Sequence, residues 1–279
     1  MDQESARSRH GSAAGDLFDT ERYPITARGS AEYLALLSHA RKGLAERNCA
    51  QLPDFIRPGV LVEMQREAEA LADRATYTEK WLNPYFSTPD DDVADDHPLK
   101  RFALRRHGMV RGDRFSRAGA IWAAFQNQDL CRFVADCLGY TELHTYRDPY
   151  GCVNVNVQPP GREFAWHFDH NDFTVSLGLK QPAEGGGFEY VPDIRTGTSE
   201  NYGAVQAVLD GDRSRVQTLF LRPGDLQLFR GGYTLHRVTA PVGDVRHSLL
   251  FSYVTDPNRI ATAEYAQRLW GEVHPAHIR

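Results

Sequence analysis

The residues best suited to chemistry lie in Trp166-His167-Phe168-Asp169, at His236, and in Arg246-His247-Ser248. His167 and Asp169 are two apart at the entrance to a strand-like run. In an extended chain such residues point to one side, so an imidazole and a carboxylate can grip one ion while Phe168 faces the other way. His236 follows 69 residues after His167, between the Gly231-Gly232 turn and another strand. Two imidazoles and one carboxylate make the facial triad of non-haem Fe(II) oxygenases, which leaves three positions open on an octahedral metal. Those positions admit an organic co-substrate and O2. Arg246 comes ten residues after His236, and alternation along the last strand puts Ser248 on its face. A guanidinium and a hydroxyl so placed clamp a carboxylate. The same two histidines and carboxylate could hold zinc in a hydrolase, or hold a metal without turnover. Neither of those needs a dicarboxylate clamp.

The elements that position these groups follow from the hydrophobic period. From Ser30 onward, Tyr33, Leu34, Leu37, Ala40 and Leu44 recur at helical spacing. A second helix starts at Pro58, with Leu61, Met64, Ala68, Leu71 and Ala75 on one face. A third is predicted over 117–138, stopped by Gly139. After residue 140 the period becomes two: Val153, Val155 and Val157 alternate with Asn154, Asn156 and Gln158. Phe173, Val175, Leu177 and Leu179 do the same against Thr174, Ser176 and Gly178. Residues 216–221, 225–229 and 247–255 also read as strands between Pro/Gly turns. Helices followed by short strands predict an α+β chain with a barrel or sandwich as its main body. The expected organisation is a flexible tail over 1–25 and a single domain over 26–279. Within that domain, 26–140 is mainly helical support, 141–256 the β core and 257–279 a helical segment.

Other side chains carry two readings each. Residues 83–115 form an irregular segment, acidic at Asp90-Asp91-Asp92 and Asp95-Asp96, then basic at Lys100-Arg101 and Arg105-Arg106. Such a loop is either a solvated charge run or functional, with Arg105 or Arg106 clamping a substrate carboxylate. Asn154 and Asn156 bond co-substrate or substrate if their face lines the barrel interior, and are solvated otherwise. His170 and Asp172 either meet a polar substrate or form an exposed loop edge. Trp270 either closes over the site as an aromatic lid or packs a helix.

Composition removes several classes. The 279 residues carry a net charge of -5, which argues against phosphate backbones or anionic lipid as partners, since those need a basic face. No run of about 18 apolar residues predicts a membrane span, and the N-terminus lacks the apolar stretch of a secretory signal. Cys49, Cys131, Cys137 and Cys152 form no CxxC, as expected of reduced thiols in a cytoplasmic protein. A small-molecule partner is expected, with no nucleic acid and no membrane.

The HxD…H…RxS arrangement resembles the Fe(II)/2-oxoglutarate-dependent oxygenases, whose core is a double-stranded β-helix (jelly roll). Residues 166–173 (WHFDHNDF), 182–195 (PAEGGGFEYVPDIR), 221–229 (LRPGDLQLF) and 235–241 (LHRVTAP) are similar to the branch containing the free-lysine halogenases and related amino-acid hydroxylases. The likeness covers roughly residues 140–256. It implies a jelly roll with N-terminal helices on one sheet, and Fe(II) held by His167, Asp169 and His236. It implies further that Arg246 and Ser248 hold the distal carboxylate of 2-oxoglutarate, with O2 as oxidant; Asn156 is expected beside the co-substrate if its polar face lines the interior. The implied reaction hydroxylates an unactivated C–H bond of a small polar substrate, a free amino acid or a derivative, and releases succinate and CO2. Desaturation, ring closure and halogenation are alternative endings. The halogenases of that branch have glycine where this chain has Asp169, and chloride binds in the space left. Here the sequence departs from the halogenase pattern.

Overall fold

The computed structural model describes residues 14–88 and 92–278. The expectations placed on residues 1–13 of the tail, on Asp90 and on Asp91 lie outside the described residues. In chain order the first elements are α1 (Ala14–Leu17), α2 (Ala31–Arg47), β1 (Cys49–Leu52), α3 (Pro58–Ala72), β2 (Thr76–Leu82) and β3 (Ala103–Val110). Next come α4 (Ala120–Phe125), α5 (Gln128–Leu138), β4 (His144–Thr145), β5 (Val153–Gln158), β6 (Phe164–His167), β7 (Thr174–Lys180) and β8 (Phe188–Val191). The remainder is α6 (Tyr202–Leu209), β9 (Gln217–Leu219), β10 (Leu226–Phe229), β11 (Leu235–Val238), β12 (Arg246–Phe251), β13 (Tyr253–Val254) and α7 (Ala263–Trp270).

A seven-stranded antiparallel sheet, ordered β1-β10-β7-β12-β5-β3-β2, packs with a four-stranded sheet ordered β6-β11-β8-β9, while β4 pairs with β13. This is the α+β jelly roll that the resemblance implies. The aliphatic face of the large sheet, Val153, Val155, Val175, Leu177, Leu249 and Phe251, is buried in one core with Leu44, Met64, Phe125 and Phe133 of the helices. The opposite face is polar. Register sets Gln158 beside Arg246, and Asn156 beside Ser248, so these side chains share the interior between the sheets.

Local chemistry explains the boundaries. Ser30 caps α2 by accepting the Tyr33 N–H. The helix expected over 117–138 is two helices, because the Asn127 side chain accepts the Leu130 N–H and restarts the helix as α5. Segment 83–115 is not one irregular loop. Its β3 pairs with β2 from Thr76↔Met109 to Leu82↔Ala103, and with β5. Hydropathy hides this strand because its inward positions carry Arg105 and His107. The region 26–140 thus contributes three strands, besides its helices, to the main sheet. The tail reading is also corrected over 14–25: Leu17, Phe18, Tyr23 and Ile25 are buried, and Phe18 meets the Phe55 ring at 4.9 Å. These anchors are aperiodic, so no local pattern announces them. The four cysteines are free and buried. Among the described residues no helix is long and apolar enough to cross a membrane.

Candidate active site

Strands β6 and β11 pair so that His167 lies opposite His236. The next partners are Phe164 and Val238, so β6 carries one extra residue. That bulge lets Phe164 and His167, three apart, both face the interior, where their rings stack at 4.0 Å. Trp166 packs instead beside Phe168 in a separate buried cluster, with the Arg237 guanidinium 5.0 Å from its ring.

The two histidines are held alike. His167 Nδ1 lies 2.8 Å from the Ala165 carbonyl, and His236 Nδ1 lies 2.8 Å from the Thr234 carbonyl. A carbonyl only accepts, so each Nδ1 carries a proton, which leaves each Nε2 as the atom that can turn a lone pair to a metal. Both Nε2 atoms stand 3.5 Å from Asp169 Oδ1. That is longer than the usual hydrogen bond of about 2.7–3.2 Å, and it suits atoms sharing an ion with bonds of about 2.1 Å. Burial first, and then His236, push the His167 pKa down to about 3. Burial would raise the Asp169 pKa, but His236 and His167 hold it well below the usual carboxylate range. A neutral His167 imidazole beside an ionised Asp169 has the form that ligates metal. Among the described residues this is the one cluster of at least three His, Cys, Asp or Glu placed to hold a metal ion.

Asp169 has a seat of its own. Its backbone N–H donates to the Gly231 carbonyl at 3.1 Å, and its Oδ2 accepts from Thr174 Oγ1 at 2.6 Å. A Cβ on Gly231 would overlap the Asp169 carboxylate. The carboxylate therefore needs glycine at 231.

Two guanidiniums face the same interior, Arg246 buried and Arg105 partly buried. Arg246 donates to Gln181 Oε1 at 3.3 Å and to Ser248 Oγ at 3.1 Å, with no carboxylate in ion-pair reach among the described residues. Burial pushes its pKa down to about 10. Asn156 Oδ1, two register steps away, is buried without a partner. On β3, the Arg105 guanidinium lies between the Phe164 ring at 3.8 Å and the Phe86 ring at 4.9 Å. Burial lowers its pKa to about 9, against a smaller opposing pull from Asp169, and its Nε has no partner. A cation buried without an anion in ion-pair reach is costly, so a site of this kind can take an anionic ligand at Arg246, and Arg105 offers a second, less buried guanidinium.

The halogenase D family model matches residues 34–271. This chain belongs to the halogenase D family. Its fold is also that of solved 2-oxoglutarate/Fe(II) oxygenases. The α-ketoglutarate-dependent epimerase SnoN of nogalamycin biosynthesis is 14% identical with a TM-score of 0.55, covering 79% of this chain and 84% of that one. The carbocyclase SnoK of the same biosynthesis is 14% identical with a TM-score of 0.55, over 88% of this chain and 86% of that one. A prolyl hydroxylase from Trichoplax adhaerens is 15% identical with a TM-score of 0.53, over 81% and 94%. No curated protein matches the chain significantly.

In this halogenase D family member the weaker candidates separate. Arg105 reaches the site, whereas Arg106 is exposed and faces Glu79 at 3.7 Å. His170 stacks on Phe86 at 5.4 Å at the mouth. Asp172 turns to the Tyr140 hydroxyl at 3.5 Å and does not join the cluster. Asn154 faces the interior, but its amide donates to the Tyr150 carbonyl at 2.8 Å, which commits it to the backbone. Trp270 is buried in a small cluster with Tyr150 and Ala266, which makes it a packing residue rather than a mobile lid. Sequence reasoning missed Phe86, His107, Phe164, Thr174 and Gly231. Phe86 sits in a loop at φ 54 and carries no local signal. The alternation Arg105, His107, Met109 was the available hint for β3.

Proposed function

We propose that this halogenase D family member is an Fe(II)/2-oxoglutarate-dependent oxygenase that hydroxylates an unactivated C–H bond of a small carboxylate-bearing substrate, a free amino acid or a derivative. The seated Asp169 carries this reading. A third protein ligand, with Thr174 bonded to it and Gly231 leaving it room, fills the position that the similar halogenases keep open for chloride. Arg246, Ser248 and Gln181 receive the distal carboxylate of 2-oxoglutarate, which supplies the anion that the buried guanidinium lacks. Bound Fe(II) and 2-oxoglutarate supply O2-dependent oxidation, with succinate and CO2 as co-products. The chain's own part is positioning. Arg105 holds the substrate carboxylate across the triad from Arg246, and its two flanking rings fix its direction. Phe164, Phe86 and His170 wall the mouth and restrict water.

Anaerobic addition of Fe(II) and 2-oxoglutarate should give a visible charge-transfer band that is lost in His236→Ala. An amino-acid panel in chloride buffer should then reveal a member that stimulates succinate release and gains one oxygen. No band in the wild type would remove the oxygenase reading, and a chlorinated product would overturn the role given to Asp169.

A further inference from the structure

The inner face of the large sheet joins the two anion pockets through one side chain. Strand β3 lies against β5 with Gly108 opposite Val157 and Met109 opposite Asn156. Strand β5 lies against β12 with Asn156 opposite Ser248 and Gln158 opposite Arg246. His107 alternates with Arg105 and Met109, so it shares their inward face. It stands diagonally to Asn156, at the about 7–8 Å that separates diagonal neighbours on a sheet. Across the sheet the interior therefore runs from Arg105 to His107, then Asn156, and then Ser248 with Arg246.

His107 is 4% exposed, and its ring lies flat on Phe164 at 4.7 Å and 9°. Its Nε2 is 3.2 Å from an Arg105 terminal nitrogen. A guanidinium only donates, so Nε2 accepts and the proton sits on Nδ1. That Nδ1–H is buried without an acceptor, and Asn156 Oδ1 is buried without a donor. A buried polar group that the protein leaves unpaired is open to a ligand or an ordered water.

Resting on the oxygenase reading above, we propose that His107 is a positioning residue coupling the two pockets: its Nδ1–H donates to bound 2-oxoglutarate, and its Nε2 thereby holds Arg105 for the substrate carboxylate. A proton on Nε2 would instead oppose the guanidinium donor. Co-substrate binding reinforces the tautomer that already orients Arg105, so 2-oxoglutarate binding steadies the substrate pocket.

Two substitutions separate this role from packing. His107→Phe keeps the stacked ring and loses both polar ends. His107→Asn keeps a donor near the Nδ1 position and loses Nε2. In anaerobic titrations of Fe(II)-loaded protein, 2-oxoglutarate should bind about tenfold more weakly to H107F, the loss expected for one buried hydrogen bond. H107N should stay within about twofold of the wild type. With histidine labelled in 15N and Zn(II) in place of iron, the wild type should show a His107 Nδ1–H signal that shifts when 2-oxoglutarate is added. Equal affinity in all three proteins, equal weakening in both variants, or an Nε2–H tautomer would overturn the proposal. The NMR measurement decides on wild-type protein even where H107F does not fold. A wild type with no charge-transfer band would fail the oxygenase reading, a different result from a band that His107 does not influence.

Discussion

Arg246→Met should make the ligand-free protein more stable while removing its affinity for 2-oxoglutarate. The guanidinium is 4% exposed, and burial takes its pKa from 12.5 to about 10. At about 1.36 kcal/mol per unit, the empty pocket carries about 3 kcal/mol of desolvation cost. Methionine fills a similar volume without charge and adapts to irregular space. The substitution loses two hydrogen bonds, to Gln181 and Ser248, at about 1 kcal/mol each. A net gain of about 1 kcal/mol remains, which raises Tm by about 2–4 °C for a chain of this size. The ligand side has the opposite sign. A charge-assisted clamp on a carboxylate contributes about 3 kcal/mol, so affinity should fall about 100-fold. Thermal unfolding with and without 2-oxoglutarate reads both effects. At 100 times Kd the wild type should gain about 2.7 kcal/mol, and the variant at the same concentration well under half of that. A variant with lowered Tm and wild-type affinity would refute the assignment of Arg246 as an uncompensated cation awaiting an anion.

Gly231→Ala places a methyl group on the Asp169 carboxylate; 2-oxoglutarate turnover should drop about 100-fold with an unchanged circular dichroism spectrum, and full turnover would show that the carboxylate has no need of its seat. Trp270→Ala empties a buried cluster and should cost about 3 kcal/mol in denaturant unfolding, with KM for 2-oxoglutarate within about twofold; a large KM effect on an undiminished fold would restore the lid reading. His247 is buried, and burial first, then Lys180, lower its pKa below the ordinary 6.5. The unfolded chain takes up its proton below about pH 6.5 while the folded chain resists, so stability should fall as pH drops through that region. His247→Gln should flatten the slope of denaturant midpoints between about pH 5 and 7. Asn127→Ala removes the cap that restarts α5 and should cost about 1 kcal/mol, read as a lower midpoint with unchanged 2-oxoglutarate affinity.

The legible part of the molecule was the part written in local periods. Alternation in 153–158 and 174–180 showed two strands of the large sheet, and Ser30, Pro58 and Gly139 marked helix ends. Strand β3 was hidden because its inward positions include Arg105 and His107, polar side chains that look solvated until the sheet encloses them. Residues 14–25 looked loose because Leu17 ends a four-residue helix too short to show a period, and Phe18, Tyr23 and Ile25 reach the core from irregular backbone.

The candidate site divides along the same line. Spacing paired His167 with Asp169 and Arg246 with Ser248, because i and i+2 on a strand share a face whatever the fold around them, and the joint pattern brought in His236. The sequence could not say that Asp169 would find a seat between Thr174 and Gly231, more than fifty residues apart, or that His107 would lie between Arg105 and the Phe164 ring. Those depend on strand register and on the β6 bulge, which only the paired sheets set. Local chemistry determined which side chains can bind; the tertiary structure decided which of them are buried together without partners of their own.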